Sequence, residues 1–324
     1  MRYILRRLGF YLVAFWAALT IDFFLPRLLP GDPAATILGQ NPNLTPVQID
    51  ALRKALGLTN APLPIQYLTY LGQVFHLNFG VSFSRYPAPV TDVISTGLVW
   101  TILLGTTALI IAFVVGNFLG VVGSWRRGGL IDTVFPPLLI LFGAFPPFFL
   151  ALTALFFLAL QLGWFPTSHA YADTLSPGWD GSFILSVLHS LVLPAAVIVL
   201  VSIGGWALGM RNVMVGVLAE DYIVMAEAKG LKQRRIMFWY AARNALLPSI
   251  TSFGLALGAI LSGQILIEQV FNYPGLGFLL IQSVGSRDYP LMQGLFLIIT
   301  TAVLAANFIV DVIYTRLDPR VRAG

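Results

Sequence analysis

The chain has 324 residues, 57% of them hydrophobic and only 10% charged, with a mean hydropathy of +0.83. Soluble domains run at about 45–50% apolar and about 25% charged, so the charge present cannot coat a water-facing surface of this size; a soluble enzyme, a disordered chain and a free DNA-binding domain are excluded. The pI near 9.6 does not signal nucleic acid, because only three Lys occur and no basic run exceeds two residues; the net +5 reads as membrane orientation.

Crossing the hydrocarbon core takes ~20 apolar residues, and six stretches qualify: 8–29, 97–124, 131–162, 190–210, 245–267 and 291–313. None shows the alternating ten-residue segments of an outer-membrane barrel. The first follows Arg2, Arg6 and Arg7 as a signal peptide does. It is too long for one and no clear A-x-A site follows, so a retained anchor is expected. With the N-terminus inside, 14 Lys/Arg fall on the cytoplasmic side and 5 outside. The expected fold is an all-α polytopic membrane protein with six transmembrane helices and both termini in the cytoplasm. Residues 1–96 form an anchor helix with a long outer loop, and 97–324 form a five-helix core containing an inner loop at 211–244.

In the outer loop, Thr45, Pro46 and Gln48 make a helix start, with Ile49, Leu52 and Leu56 on one face and Gly57 as a stop. This reads as a short amphipathic helix on the outer membrane surface. A substrate-receiving role is not forced by it, and the Asn43-Leu44-Thr45 sequon is weak evidence.

Span three contains two proline pairs, Pro136-Pro137 and Pro146-Pro147, each removing backbone hydrogen bonds, so that helix must bend or break. The inner loop carries six of the nineteen Lys/Arg residues. Gly230 would divide it into two short helices, with Tyr222, Met225 and Ala226 sharing one face of the first and Ile236 and Trp239 one face of the second. Two readings fit: a solvated basic loop, or an element presenting a short helix to a soluble partner. The apolar residues among the charges favour the second. In span five, Gly254, Gly258 and Ser262 recur every four residues and would let another helix approach closely.

Catalytic chemistry is sparse. No G-x-x-x-x-G-K-[ST] string occurs, so no phosphate loop is expected. His76, His169 and His189 are far apart, and with no Cys a metal site is not expected. An intramembrane serine protease would need Ser262 and His189 to meet, a geometry the topology does not favour. Ionisable residues within spans are few and need a reason. Asp22 lies in span one, either neutral or facing the bundle interior, as a structural partner of Arg27 or in a substrate role. Glu268 closes span five, and Asp311 near the end of span six can pair with a surface base. No chain of buried carboxylates suited to a proton-coupled carrier is present.

Several strings resemble the inner-membrane permease subunits of ABC importers, in the dipeptide/oligopeptide/nickel class. Asp221-Tyr222-Ile223 and Ala226-Glu227-Ala228-Lys229-Gly230-Leu231 are similar to the family's EAA loop. The usual acidic position, six before the Gly, falls here on Val224. Pro30-Gly31-Asp32-Pro33, Asn78-Phe79-Gly80-Val81-Ser82, Gly163-Trp164-Phe165-Pro166, His189 to Pro194, Glu268 to Gly277 (EQVFNYPGLG) and Asp318 to Arg322 follow in the family's order.

The resemblance implies a type I importer permease in a bacterial or archaeal inner membrane. It would be non-catalytic and without a cofactor, and ATP and Mg would be bound by partners. Those partners would be a second homologous permease, two ATPase subunits and an extracytoplasmic binding protein. Asp221, Tyr222, Ala226, Glu227, Ala228, Lys229, Gly230 and Leu231 would couple to the ATPases. Glu268, Phe271, Pro274, Gly275 and Gly277 would face the outer gate and the binding protein, and Gly254, Gly258 and Ser262 would pack against the other permease. The cargo would be peptides, short oligosaccharides or nickel complexes. A self-sufficient carrier or channel and an intramembrane enzyme are the rival classes.

Overall fold

The computed structural model describes residues 2–28, 45, 61–125, 129, 133–260 and 264–317. The helix expected at 45–57, the Pro30–Pro33 and Asp318–Arg322 strings, and Ser262 lie outside them, apart from Thr45 itself. Within them the elements are helices: α1 (Arg2–Leu28), α2 (Leu63–Phe75), α3 (Val90–Trp125), α4 (Phe135–Ala144), α5 (Pro147–Ala154), α6 (Gly181–Val217), α7 (Asp221–Ala228), α8 (Gln233–Arg235), α9 (Arg243–Ile260), α10 (Ile265–Val270), α11 (Leu276–Gly285) and α12 (Tyr289–Leu317). Two π-helical segments, Leu155–Gln161 and Ile236–Ala242, continue α5 and precede α9.

Among the described residues four helical segments are long and apolar enough to cross a membrane: Arg6–Leu25, Val90–Trp125, Gly181–Val217 and Tyr289–Ile309. A fifth forms if Leu138–Ala144 and Pro147–Gln161 count as one broken span, bent by 99°. The break falls at Phe145-Pro146-Pro147, as the second proline pair predicts. The first pair sits in the first turn of α4, where the missing N–H groups have no intrahelical acceptor; Thr133 is helical and Val134 a turn, so the helical path is interrupted just ahead of this pair as well. The expected fifth span, 245–267, lies partly outside the described residues; the part described, α9, is 18 residues long and opens with the polar Arg243 and Asn244. α3 and α6, at 36 and 37 residues, are each about 54 Å long at ~1.5 Å per residue. Both overshoot a hydrocarbon core of about 30 Å.

The chain divides into two compact units. One comprises 1–101, 261–265 and 274–324, the other 102–260 and 266–273. In the first, α12 packs against α1 and α11, and α1 carries α2. Phe23 and Leu19 of α1 are buried with Tyr70 and Val74 of α2 and Leu297 of α12. Thr20 meets Tyr67 (2.8 Å between hydroxyls), and Arg27 donates to Gln66 Oε1 at 3.1 Å. At the other end of α1, Arg7 and Tyr11 both reach Asp311 Oδ2, at 3.0 and 2.8 Å, so Asp311 finds the basic partner expected of it.

In the second unit, glycines set the spacing. A Cβ at Gly116 would lie 2.5 Å from Trp206 Cβ, and one at Gly120 2.5 Å from the Ala207 carbonyl oxygen, so α3 and α6 meet backbone to backbone. Gly204 likewise sits under the Leu139 carbonyl, 2.8 Å from where a Cβ would stand. This is the small-residue packing that membrane helices use in place of a hydrophobic driving force.

Candidate functional site

The segment after α6 is anchored, not solvated. α7 begins with Asp221 in its first turn, where a carboxylate complements the helix dipole. It ends in a left-handed cap. Gly230 has φ +71°, its N–H reaches the Glu227 carbonyl at 2.8 Å, and the Leu231 N–H reaches the Ala226 carbonyl at 3.3 Å. Those two bonds are the pair that closes a Schellman turn and satisfies the last carbonyls. Gly230 therefore does divide the loop into two helical pieces.

The faces differ from expectation. Ile223 and Ala226 are the buried pair, seated among Met210, Met214, Met237, Ala241 and Ala245, with Leu231 packed against the same cluster. Tyr222 and Met225 point away, together with Val224; Val224 and Met225 are each 59% exposed. Glu227, Ala228 and Lys229 are exposed too. Ile236 and Trp239 do not share a face either: Ile236 is fully buried and Trp239 is 70% exposed. The reason is the π winding of 236–242. A wider turn places residues four apart in line and swings a residue three on to another side. Asn244 donates to the Tyr222 hydroxyl at 2.9 Å and fixes α7 to the start of α9.

Between α6 and α9 lies a groove of about 620 Å³, with Ser202, Gly205, Trp206 and Gly209 on one wall and Ser249 and Ser252 on the other. Among the described residues no charged side chain lines it. Gly205 and Gly209 differ from their neighbour Gly204: a Cβ at either would meet nothing within 4 Å. They widen the groove and do not serve packing. Trp206 is held edge-on by Phe113, with centroids 5.3 Å apart. The hydroxyls of Ser202 and Ser252 donate back to the Ile198 and Pro248 carbonyls, at 2.6 and 3.2 Å. Sequence reasoning did not single out this groove, because a glycine facing space and one facing a helix look alike in a string.

The EQVFNYPGLG string is packed, not displayed. In the second unit Glu268 and Tyr273 are fully buried and Phe271 is 3% exposed. The Tyr273 N–H reaches the Glu268 carbonyl at 2.8 Å, and the Phe271 carbonyl accepts from His169 N–H at 3.2 Å. Asn272, at φ +45°, is the exposed residue of this turn. In the first unit Gly275 and Gly277 are buried and Pro274 is half-buried. The Leu276 N–H donates to Thr101 Oγ1 at 2.7 Å, and a Cβ at Gly97 would lie on Leu279.

One hub escaped the sequence reading. Asp288 is fully buried, and its Oδ2 accepts from the Ser82 hydroxyl and from the Ser84 N–H and hydroxyl, at 2.9 and 2.7 Å for the latter two. It ties the Asn78–Ser82 string to the start of α12. The His189 ring N–H meets the Trp164 carbonyl at 2.9 Å, joining two more of the recognised strings.

Asp22 does not pair with Arg27. Its Oδ2 accepts from Tyr70 at 2.9 Å, while Arg27 turns to Gln66 and to the Phe23 carbonyl and ring. Five residues along a helix is about 140° of rotation, which carries the two side chains to different faces. Of the small-residue stripe, Gly254 borders open space and Gly258 is covered within this chain. Among the described residues no group of three or more His, Asp or Glu could hold a metal ion.

Long apolar helices, one of them paired at a sharp bend, define a polytopic membrane protein. Residues 112–323 match the family model described as "Binding-protein-dependent transport system inner membrane component", and residues 1–111 match the model of that family's N-terminal part. The chain belongs to this family: it is a permease subunit of an ABC importer, a multi-pass protein of the inner membrane. It is 35% identical to the di/tripeptide transport system permease protein of Pseudomonas aeruginosa, over 99% of this chain and 98% of that protein. It is 33% identical to the dipeptide transport system permease protein of Lactococcus lactis, over 99% of each, and 33% identical to the oligopeptide transport system permease protein of Bacillus subtilis, over 98% of each.

Proposed function

We propose that this chain is one half of a peptide importer's transmembrane pore. It would cross the membrane six times with both termini in the cytoplasm and pair with a second, related permease. The peptide class rests on the names of the relatives, which match along almost the whole chain. The α6–α9 groove suits it: its walls are apolar and hydroxyl-bearing, and among the described residues they carry no charge that would select cargo side chains by sign.

The observation that carries the reading is α7. Ile223 and Ala226 hold it to the body while Tyr222, Val224 and Met225 face outward, so a partner gripping the outer face would move the helices beneath it. Two ATPase subunits, holding ATP and Mg, are the proposed grip, and no catalytic step falls to this chain. Moving a gate from 1:99 to 99:1 takes about 5.5 kcal/mol of differential binding, which a chain without a phosphate loop must draw from such a partner. Val224 stands where the family's loop usually carries an acid, and the exposed Asp221, Glu227, Ala228 and Lys229 complete the surface offered to the grip. Asn272 marks the face met by the extracytoplasmic binding protein, with the half-buried Pro274 and the buried Glu268, Phe271, Gly275 and Gly277 on either side of it in the string. Gly254 offers the open contact for the second permease.

Proteoliposomes decide the matter. This chain with its second permease, ATPases and binding protein should take up a labelled dipeptide only with ATP. Uptake by this chain alone would mean a self-sufficient carrier instead.

A further inference from the structure

A second pocket lies in the first unit, between α1 and α12. It has a volume of about 250 Å³ and is lined by Ala18, Ile21, Asp22, Leu25, Phe296 and Thr300; none of these lines the α6–α9 groove. Asp22 is 6% exposed, and its carboxyl is only half used. Oδ2 accepts from Tyr70, whereas Oδ1 is buried with no hydrogen-bond partner. Burial, and then the neighbouring Asp22, push the Tyr70 hydroxyl above its ordinary range, so it remains a donor and cannot accept a proton from the carboxyl. The Gln293 amide approaches only the Asp22 backbone carbonyl, at 3.4 Å, and Arg27 is committed to Gln66 and Phe23.

A buried carboxyl oxygen left without a donor is costly, and this one borders space for more than one water. A hard metal ion is poorly served, because such ions take about six or more oxygens and among the described lining residues only Asp22 and Thr300 bring side-chain oxygens. What suits a lone acceptor, one hydroxyl and four apolar walls is a donor-bearing cationic head on a small or apolar body. Asp22 stands three residues inside the end of the apolar window Arg6–Leu25, about 4.5 Å along the axis. That is within about one helical turn of the end of the apolar window, on the side where Arg27 follows.

We propose that the Asp22 pocket binds a primary ammonium group, which donates to Oδ1 while the rest of its carrier lies against Ile21, Leu25 and Phe296. Such a group comes from one of two sources, an ethanolamine lipid or the amino terminus of a peptide. The full chain is placed in nanodiscs of phosphatidylglycerol with either phosphatidylethanolamine or phosphatidylcholine, whose trimethylated nitrogen has no N–H to donate. Lipid retention by native mass spectrometry and melting temperature are read in each.

If the source is lipid, the wild type retains ethanolamine lipid in preference to choline lipid and melts higher with it. Asp22→Asn weakens that retention at least about tenfold, or about 1.4 kcal/mol. If the source is peptide, dialanine raises the melting temperature of the wild type in phosphatidylcholine discs, and N-acetyl-dialanine and the Asn variant show no such shift. Tyr70→Phe keeps the preference, since it spares Oδ1. Ala18→Leu, which narrows the pocket and keeps the carboxylate, loses it and covers the case in which the Asn variant fails to fold. No preference between the lipids and no shift with dialanine, or a preference that survives both Asp22→Asn and Ala18→Leu, overturns the proposal.

Discussion

Gly230→Val tests the coupling role of α7 at the point where its geometry is most restrictive. A Cβ at Gly230 would meet nothing within 4 Å, so the substitution brings no clash and acts through backbone alone. At φ +71° an L-residue costs about 1–2 kcal/mol, and a β-branched one sits at or beyond the top of that range. Letting the turn go relieves that strain but loses the two closing hydrogen bonds at Gly230 and Leu231, about 0.5–1.5 kcal/mol each, and the burial of Ile223, about 1.5–3 kcal/mol. Release costs more than it relieves, so the variant stays folded and inserted with α7 mostly seated on a distorted turn, and every ~1.4 kcal/mol of strain raises the released share tenfold. In proteoliposomes with the partner subunits, peptide-stimulated ATP hydrolysis and uptake should both fall, in the order Asn, Ala, Val at this position, because Asn tolerates left-handed backbone best. Coupled uptake in the Val variant equal to wild type would refute the argument.

Filling the groove gives a second test: Gly205→Leu and Gly209→Leu should abolish peptide uptake while the melting temperature stays near wild type, whereas Gly204→Leu, forced against Leu139, should lower stability. Met225→Asp alters a residue 59% exposed and should cost the fold no more than about 0.5 kcal/mol, yet release the ATPase subunits on co-purification; their retention would remove α7 from that contact. Asp288→Ala leaves Ser82 and Ser84 without their buried acceptor and should destabilise by about 2–4 kcal/mol, read as a lower melting temperature in detergent. Gly254→Leu should weaken co-purification with the second permease, and an unchanged yield would take that glycine out of the interface.

Composition alone settled that the chain lives in a membrane, because 10% charged residues cannot solvate a globule. Periodicity and punctuation settled more. Gly230 announced a turn, Pro146-Pro147 a broken helix, and Asp311 a basic partner near the membrane surface, since each depends on covalent geometry or on a charge within reach of a helix end. The order of short strings pointed to the family before any contact was known.

What needed the folded chain was every question of facing. Ile236 and Trp239 part company because a π segment changes the winding, which the local sequence does not print. Pro136-Pro137 stand in the first turn of α4 and Pro146-Pro147 at a 99° bend, because a proline's cost depends on whether its missing N–H had an acceptor. Gly204, Gly205 and Gly209 share one helix, yet the first meets Leu139 and the other two face open space. Asp22 turns to Tyr70, 48 residues away, and not to Arg27 nearby, because helical rotation outweighs nearness along the chain. Contacts of that separation are set by how helices pack, and only the tertiary structure decides them.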